Sequence, residues 1–182
     1  MSKQTVARVA CLSTLLGLSA CGGGDGDLTG ICRVLAGGSS SVDSRHQVGN
    51  MMDFEKAFDG SLNTFAIYRA TAGNGSATFI GRAQSGTIVP TGTLAGTVLV
   101  VPPDSSTLTV NITTTLNGVV QDSGTAGTFN RGETPACGGL CEFQGDNIYF
   151  AIQSTKPFDG ITADFQVTGL PFDLQVRELC TR

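Results

Sequence analysis

Apolar and polar residues alternate with a period of two along residues 108–113, the clearest strand pattern in the chain. This period places the apolar side chains on one face of a β-strand and the polar side chains on the other. The pattern continues to Leu116, where Asn117-Gly118 predicts a tight turn because both residues tolerate positive φ. We therefore expect a hairpin whose second strand begins with residues 119–122.

Further segments also favour strands. Residues 95–101 form a continuous apolar run that ends at Pro102-Pro103, as expected of a strand buried on both faces. Gly73-Asn74-Gly75 lies between two other strand-like segments and predicts a second hairpin. The remaining predicted strands cover residues 64–70, 76–81, 147–153, 161–167 and 172–179.

The fold class follows from the number of strands and the scarcity of helices. Only residues 51–58 favour a helix, with Asn50 able to cap its start and Gly60 its end. Glycine, serine and threonine are abundant, whereas the helix-favouring Glu and Lys are scarce. We predict an all-β, antiparallel, jelly-roll-like β-sandwich with at most one short helix.

The first twenty residues have the layout of a secretory signal. Lys3 and Arg8 precede an apolar run, residues 9–18, that is too short to span a bilayer. Leu18-Ser19-Ala20-Cys21 then resembles the lipobox of bacterial lipoproteins. The resemblance implies cleavage before Cys21 and attachment of lipid to that cysteine, which anchors the mature chain to a membrane.

Residues 21–31 are predicted to be a flexible, lipidated tether, because residues 22–27 contain only glycine and aspartate. A calcium-binding loop is the alternative interpretation of residues 22–27. The Gly/Asp segment occurs only once and lacks the residue register that such a loop requires, so the support for this alternative is weak. Gly22 follows the lipidated cysteine, whereas an aspartate there commonly retains Gram-negative lipoproteins at the inner membrane. The family pattern therefore implies the outer membrane, with the domain facing either the periplasm or the outside.

The mature chain is acidic and long enough for one domain, residues 32–182. Loss of Lys3 and Arg8 with the signal changes the formal charge from −4 to −6. This sign argues against nucleic acid as a partner, because nucleic-acid binding needs clustered Lys and Arg. No second apolar run is long enough to cross a membrane.

Four cysteines remain after Cys11 leaves with the signal and Cys21 receives lipid. An even number in an oxidising compartment predicts two disulfides, for which three pairings are possible. We favour Cys32–Cys180, closing the ends of the domain, with Cys137–Cys141 closing a short loop. A zinc site is disfavoured, because the chain has a single histidine and no paired two-residue cysteine spacing.

Residues 57–65, Ala-Phe-Asp-Gly-Ser-Leu-Asn-Thr-Phe, resemble a loop of the discoidin-like, or galactose-binding-like, β-sandwich domains. The pattern of that loop is Ala-x-Asp-Gly-(Asn/Asp)-x-x-Thr followed by an aromatic residue. Residues 156–161 resemble the stretch before a late core strand of related bacterial surface domains, and residues 174–180 resemble their closing strand. Ser61 and Phe65 depart from the usual Asn/Asp and Trp. Many members join the first and last strands by a disulfide, which matches Cys32 and Cys180.

The same resemblance implies a structural calcium ion. Calcium takes oxygen ligands from carboxylates, carbonyls and hydroxyls. The matching positions in this chain are Asp59, the backbone of Ser61, Thr64 and Glu178. The alternative is that Asp59-Gly60 is only a turn, capped by Thr64, and that Glu178 is solvated.

Catalytic motifs are missing from the sequence. The chain has no Gly-x-Ser-x-Gly elbow, zinc-binding His-Glu-x-x-His or phosphate-binding loop. His46 is the only histidine, and its neighbours Asp43 and Ser44 do not suggest a triad, because triads are assembled from distant segments. A pair of carboxylates for glycoside hydrolysis is an alternative that the sequence leaves open, because its eleven aspartates and four glutamates could meet in the fold. No particular pair stands out. We predict that the protein is not an enzyme.

Two functional hypotheses follow. The first is a non-catalytic, lipid-anchored binding or adhesion module of the cell envelope, which recognises glycan or protein through loops of the sandwich. The second is a structural or assembly lipoprotein that docks on an envelope complex and has no soluble ligand. A cleft with convergent polar groups and an aromatic ring would favour the first, whereas a broad exposed apolar patch would favour the second. Candidate ligand groups in or beside predicted loops, none of them singled out, are Arg69, Asn74, Arg82, Arg131 and Asp146.

Overall fold

The computed structural model describes residues 32–35, 39–42, 48–70, 74–100, 107–130, 133, 135–169 and 173–182. The predicted signal at residues 1–20, the tether at residues 21–31 with its lipidation site Cys21, His46 and Arg131 all lie outside these residues. Within the described part of the chain, no helix has the length and apolarity needed to cross a bilayer.

Short antiparallel strands make up most of the described chain. They are β1 (Arg33–Val34), β2 (Ser39–Val42), β3 (Asn50–Met52), β4 (Ala66–Arg69), β5 (Asn74–Arg82), β6 (Leu94–Val100), β7 (Thr107–Leu116), β8 (Val119–Asn130), β9 (Ala136–Cys137), β10 (Leu140–Gln144), β11 (Asn147–Gln153), β12 (Gly160–Thr168) and β13 (Asp173–Thr181).

The strands form two sheets. The first has the order β10-β11-β6-β13-β4-β3, with β1 also paired to β13, and the second has the order β2-β5-β12-β7-β8-β9. All of the assigned pairings are antiparallel. The prediction of an all-β, jelly-roll-like antiparallel sandwich is confirmed.

The core lies between the two sheets and is built from the alternating side chains of their strands. In β7, Leu108, Val110 and Ile112 are fully buried, whereas the residues between them are partly exposed, as the period of two predicted. Phe79 and Phe165 pack edge to face, with their ring centroids 5.5 Å apart. Complete burial of one such side chain contributes about 1.5–3 kcal/mol.

The predicted hairpin at residues 117–118 is confirmed. Asn117 has φ 51° and Gly118 has φ 79°, the left-handed pair that a two-residue hairpin turn requires. The turn joins β7 to β8, and Leu116 pairs with Val119 across it.

The second predicted hairpin, around Gly73-Asn74-Gly75, is wrong. Strand β4 belongs to the first sheet and β5 to the second, and Asn74 and Gly75 are the first residues of β5. A side chain on Gly75 would place its Cβ about 2.2 Å from the hydroxyl oxygen of Tyr68. That hydroxyl donates a hydrogen bond to the carbonyl of Val48. Gly75 is therefore explained by close packing and not by a turn.

The predicted helix over residues 51–58 is half wrong. Asn50–Met52 is strand β3, which pairs with β4, so Asn50 does not cap a helix. Only Phe54–Phe58 is helical, and it is a single 3₁₀ stretch that follows Asp53 at φ 52°. Pairing with the edge of the first sheet satisfies the backbone of β3 better than one isolated helical turn would.

Both favoured disulfides are present. Cys32 bonds to Cys180 across 148 positions of sequence, and Cys137 bonds to Cys141 across four. Cys32 and Cys180 lie in a small second apolar cluster with Val98, Tyr149 and Ala151, separate from the main core. The first disulfide thus ties β1 to the central strand β13.

Candidate functional site

The loop at residues 59–64 folds around its own aspartate. The Asp59 carboxylate accepts hydrogen bonds from the Ser61 amide (2.9 Å) and the Thr64 hydroxyl (2.7 Å). The Thr64 hydroxyl also lies 3.2 Å from the Ser61 carbonyl oxygen. The Gly60 amide donates to Glu178 Oε2 at 2.9 Å, across 118 positions of sequence. The structure therefore brings all four predicted calcium-site residues together.

A β-bulge in β13 aims Glu178 at this loop. Val176 pairs with Leu99 and Glu178 pairs with the next residue, Val98, so Arg177 is the additional residue of the bulged strand. Paired residues share a face of the sheet, and Val98 belongs to the second apolar cluster, with Cys32 and Cys180, and not to the main core. Without the bulge, strand alternation would place Glu178 on the same face as the core residue Val176.

Glu178 is a buried acidic residue whose surroundings disfavour its charged form. Its side chain is 0% exposed, and its Oε1 has no hydrogen-bond partner among the described residues. Burial raises the pKa of Glu178 to about 8, and the nearby charge of Asp59 adds to this shift. The hydrogen bond from Gly60 acts in the opposite direction and lowers the pKa in part.

Among the four residues predicted to hold calcium, the buried Oε1 of Glu178 is the side-chain oxygen without a hydrogen-bond partner in the described part of the chain. Buried carboxylates are normally paired with a cation or coordinate a metal, because desolvation disfavours their charged form. Among the described residues, no group of three or more His, Cys, Asp or Glu side chains is placed to hold a metal. A calcium ion here would have Asp59 and Glu178 as carboxylate ligands and would take further oxygens from Ser61 and Thr64.

Phe65, at the position where the resembled family has tryptophan, contacts the bulged arginine. The guanidinium carbon of Arg177 lies 4.9 Å from the centroid of the Phe65 ring. Burial lowers the pKa of Arg177, and its Nε has no partner among the described residues. This cation–π contact holds the end of the loop against β13.

The pH dependence of stability tests whether Glu178 is buried in this way. In chelator, Glu178 has a pKa of about 8 when folded and about 4.5 when unfolded, so the folded protein binds more protons between these values. The free energy of unfolding should therefore fall as pH rises from 5 to 8, by up to about 1.4 kcal/mol per unit. Urea unfolding of the wild type and Glu178→Gln measures this, and the wild type should lose stability relative to the variant. A constant difference between the two would contradict the buried carboxylate.

A separate cleft of about 620 Å³ opens at the edge of the sandwich, where β8 faces β11. Strand β9 pairs with β8 at Gly127 and Thr128, and no described strand pairs with the earlier part of β8 on that side. The volume of the cleft falls within the range of small-molecule sites. Its lining residues are Leu94, Asp122, Ser123, Gly124, Thr125, Gly138, Gly139, Leu140, Ile152, Gln153 and Thr155.

Asp122 stabilises one wall of the cleft. Its carboxylate accepts hydrogen bonds from the Thr155 hydroxyl, the Thr155 amide (3.0 Å) and the Lys156 amide (3.2 Å). These bonds, led by that of the Thr155 hydroxyl, lower the pKa of Asp122. Among the lining residues Asp122 alone carries a carboxylate, so the cleft has no acid–base pair of the kind that glycoside hydrolysis requires.

The rim of the cleft continues onto the outer face of the second sheet, which we call the polar face. It consists of the outward residues of β5, β12, β7 and β8, aligned in rows by the strand register. Asn111, for example, pairs with Asp164 on one side and with Thr125 on the other, and Thr125 also lines the cleft. Outward residues of the two central strands are Thr107, Thr109, Asn111, Thr113, Thr115, Thr162, Asp164, Gln166 and Thr168.

Hydrogen bonds run along one row of the polar face. The Thr78 hydroxyl donates to Asp164 at 2.5 Å, and the Thr125 hydroxyl donates to Asn111 at 2.8 Å. Charge is confined to Asp164 and to Arg82 at the end of β5, among the outward residues of these four strands. Apart from Ile80 and Val120, which pair with the outward residues Thr162 and Thr115, the face is therefore an almost uncharged array of hydroxyl and amide groups. Its spacing is that of a sheet, about 4.8 Å across strands and 6.8 Å along them.

The candidate ligand groups from the sequence do not line the cleft. Arg69 forms a two-pronged ion pair with Asp173, with both N–O distances at 2.7 Å. Asn74 and Arg82 are at opposite ends of β5, and Asp146 lies in the turn between β10 and β11. Sequence reasoning missed the cleft residues, because only the register of β8 and the shortness of β9 reveal them.

Comparisons with known proteins identify no family for this chain. No family model and no curated protein matches it. One solved structure that resembles it is that of TmCBM61 in complex with β-1,4-galactotriose. The TM-score is 0.37 at 10% sequence identity, over 82% of this chain and 90% of the other. Likeness at this level does not transfer a ligand from one protein to the other.

Proposed function

We propose that this protein is a non-catalytic, lipid-anchored envelope module that binds an uncharged glycan chain along the polar face and in the adjoining cleft. The observation that carries the proposal is the continuity between the two. Ser123 and Thr125 line the cleft and also lie opposite Thr113 and Asn111 on the face. Rows of neutral donors and acceptors complement the hydroxyl groups of an extended glycan, and the near absence of charge disfavours ionic ligands.

The anchor and the loop at residues 59–64 complete the proposal. Lipid on Cys21 would hold the module at a membrane, in keeping with the lipobox resemblance and with the outer membrane that Gly22 implies. A calcium ion held by Asp59, Ser61, Thr64 and Glu178 would supply positive charge to the buried carboxylate and fix the loop on β13. The ion would then act on stability, since the loop does not line the cleft.

Glycan binding is tested with the full mature chain in detergent on an array of uncharged and charged glycans. The wild type should bind selected uncharged glycans, and Gln166→Arg on the polar face should weaken the binding at least tenfold by adding bulk and charge. Gly124→Leu should weaken it similarly by filling the cleft. The matched control is Gln144→Arg, an exposed position on β10 of the other sheet, which should bind as the wild type does.

Two outcomes would contradict this proposal. Equal loss of binding in Gln166→Arg and Gln144→Arg would mean that the polar face is not the site. Failure of the folded wild type to bind any uncharged glycan would favour a protein ligand, or the structural role without a soluble ligand. Circular dichroism melting of each variant separates lost binding from lost folding.

A further inference from the structure

The second disulfide joins the two sheets beside the cleft. Cys137 lies on β9, the outermost described strand of the second sheet, and Cys141 lies on β10, the outermost described strand of the first. The other disulfide, Cys32–Cys180, ties together strands of the first sheet alone. Cys137–Cys141 therefore closes the bend at which the chain crosses from one sheet to the other.

The loop inside this bend forms part of the wall of the cleft, since Gly138, Gly139 and Leu140 all line it. A Cβ on Gly138 would lie 2.0 Å from the carbonyl oxygen of Thr125 in β8. A Cβ on Gly139 would lie 2.1 Å from the carbonyl oxygen of Ala151 in β11. The loop backbone is thus seated against both of the strands between which the cleft opens.

The disulfide fastens a short strand to a well-paired one. Strand β9 has two residues, which pair with Gly127 and Thr128 of β8, whereas β10 pairs with β11 over five residues. Within the loop, the Gly138 amide donates to the Ala126 carbonyl oxygen at 3.1 Å. Glycine has more backbone freedom than any other residue, so breaking the cross-link gives residues 138 and 139 many further conformations.

The two disulfides differ in how easily a reductant reaches them. Cys32 is 3% exposed and Cys180 is 0% exposed, whereas Cys137 is exposed and Cys141 is only partly buried. Thiol–disulfide exchange requires access of a thiolate to the sulfur atom that it attacks. A dithiol therefore reduces Cys137–Cys141 first, and the remaining disulfide keeps the domain folded.

We propose that Cys137–Cys141 is a redox switch that controls ligand binding in the cleft. A thiolate of a dithiol reductant attacks the sulfur of Cys137 to form a mixed disulfide, and the Cys141 thiolate leaves and takes up a proton. The second thiolate of the reductant then displaces the Cys137 thiolate, which is protonated in turn. The reductant supplies two electrons and departs as a disulfide.

Reduction acts on binding through the wall of the cleft. The released loop moves away from β8 and β11, and the ligand loses its contacts with residues 138–140. Ordering this loop again on binding costs conformational entropy, so the affinity falls. This inference rests on the proposed function, because the cleft is part of the proposed glycan site.

The selectivity of reduction is measured first. The full mature chain in detergent is treated with increasing dithiothreitol, and free thiols are alkylated and located by peptide mass spectrometry. Cys137 and Cys141 should become alkylated at a concentration about tenfold lower than Cys32 and Cys180. Reduction of both pairs at the same concentration would overturn the switch, because the reductant would then not act on the loop alone.

Amide hydrogen exchange reports the loop whether or not a glycan binds. After selective reduction, peptides covering residues 137–141 should exchange about tenfold faster, because the Gly138 amide loses its fixed acceptor. Peptides covering β12, in the centre of the second sheet, are the control and should exchange at an unchanged rate. Unchanged exchange over residues 137–141 would overturn the switch.

Glycan binding tests the consequence. Selectively reduced wild type should bind about fivefold more weakly than the oxidised protein, and reoxidation should restore the affinity. The double variant Cys137→Ser, Cys141→Ser should bind as the reduced wild type does and should not respond to dithiothreitol. Equal affinity of the oxidised and reduced wild type would overturn the switch and leave the glycan site in place.

Failure of the proposed function gives a different result. An oxidised wild type that binds no uncharged glycan would contradict the glycan site. Hydrogen exchange over residues 137–141 would then decide alone whether reduction opens the wall of the cleft.

Discussion

Replacing Cys32 and Cys180 together by serine should lower the free energy of unfolding by about 4–5 kcal/mol. The disulfide closes a loop of 148 positions. In the chain-entropy account a cross-link stabilises by restricting the unfolded chain, and a loop of about 100 residues already contributes about 4.7 kcal/mol. Both cysteines are also buried against β6 and β11, so the substitution places two hydroxyls in an apolar cluster. Urea unfolding of the mature chain without reductant measures the loss.

The second disulfide provides the matched control. Cys137 and Cys141 are only four positions apart, and the same entropic account gives about 2 kcal/mol for so short a loop. Cys137 is exposed at the edge of the second sheet, and Cys141 is only partly buried against the core, so this pair contributes less packing than Cys32 and Cys180. Equal losses in the two double variants would contradict the assignment of Cys32–Cys180 as the dominant cross-link of the fold.

Local patterns predicted most of the longer strands of this protein but not β1, β2, β3, β9 and β10, nor the sheet to which each strand belongs. The alternation in β7 and the turn at Asn117-Gly118 were predictable because both depend on residues close in sequence. Asn74-Gly75 is the same dipeptide, yet it starts a strand. The difference is Tyr68, whose hydroxyl occupies the space that a side chain at Gly75 would need. That contact depends on how the two sheets pack, which no local pattern encodes.

The candidate sites divide in the same way. The loop at residues 59–64 is contiguous in sequence, so its internal hydrogen bonds follow from a recognisable motif. The association of this loop with Glu178 was predicted from the family resemblance. The direction of the Glu178 side chain depends on the bulge at Arg177, which no sequence pattern predicts. The cleft and the polar face depend on the register of β7, β8 and β12 over long separations. The sequence placed polar residues on one side of β7, but it predicted neither the rows that β7 forms with β8 and β12 nor the cleft.

Calcium is expected to raise the stability of the wild type and to leave that of Glu178→Gln unchanged. A ligand that binds only the folded state stabilises it by about 2.7 kcal/mol when present at 100 times its dissociation constant. Glutamine keeps the size of the side chain and an oxygen that can accept the Gly60 hydrogen bond, but it removes the negative charge that attracts a cation. The melting temperature of both proteins in excess calcium and in chelator measures this effect.

The stability of Glu178→Gln without calcium provides a second comparison with the wild type. In chelator near pH 8, Glu178→Gln should be at least as stable as the wild type, because it removes a buried, partly unpaired carboxylate. Asp164→Asn is the matched control, since Asp164 lies on the polar face and bonds to Thr78, so it should respond to calcium as the wild type does. If Glu178→Gln gained the same stability from calcium, the ion would bind elsewhere. The loop would then be held by its hydrogen bonds alone, with Glu178 protonated at neutral pH as its pKa of about 8 implies.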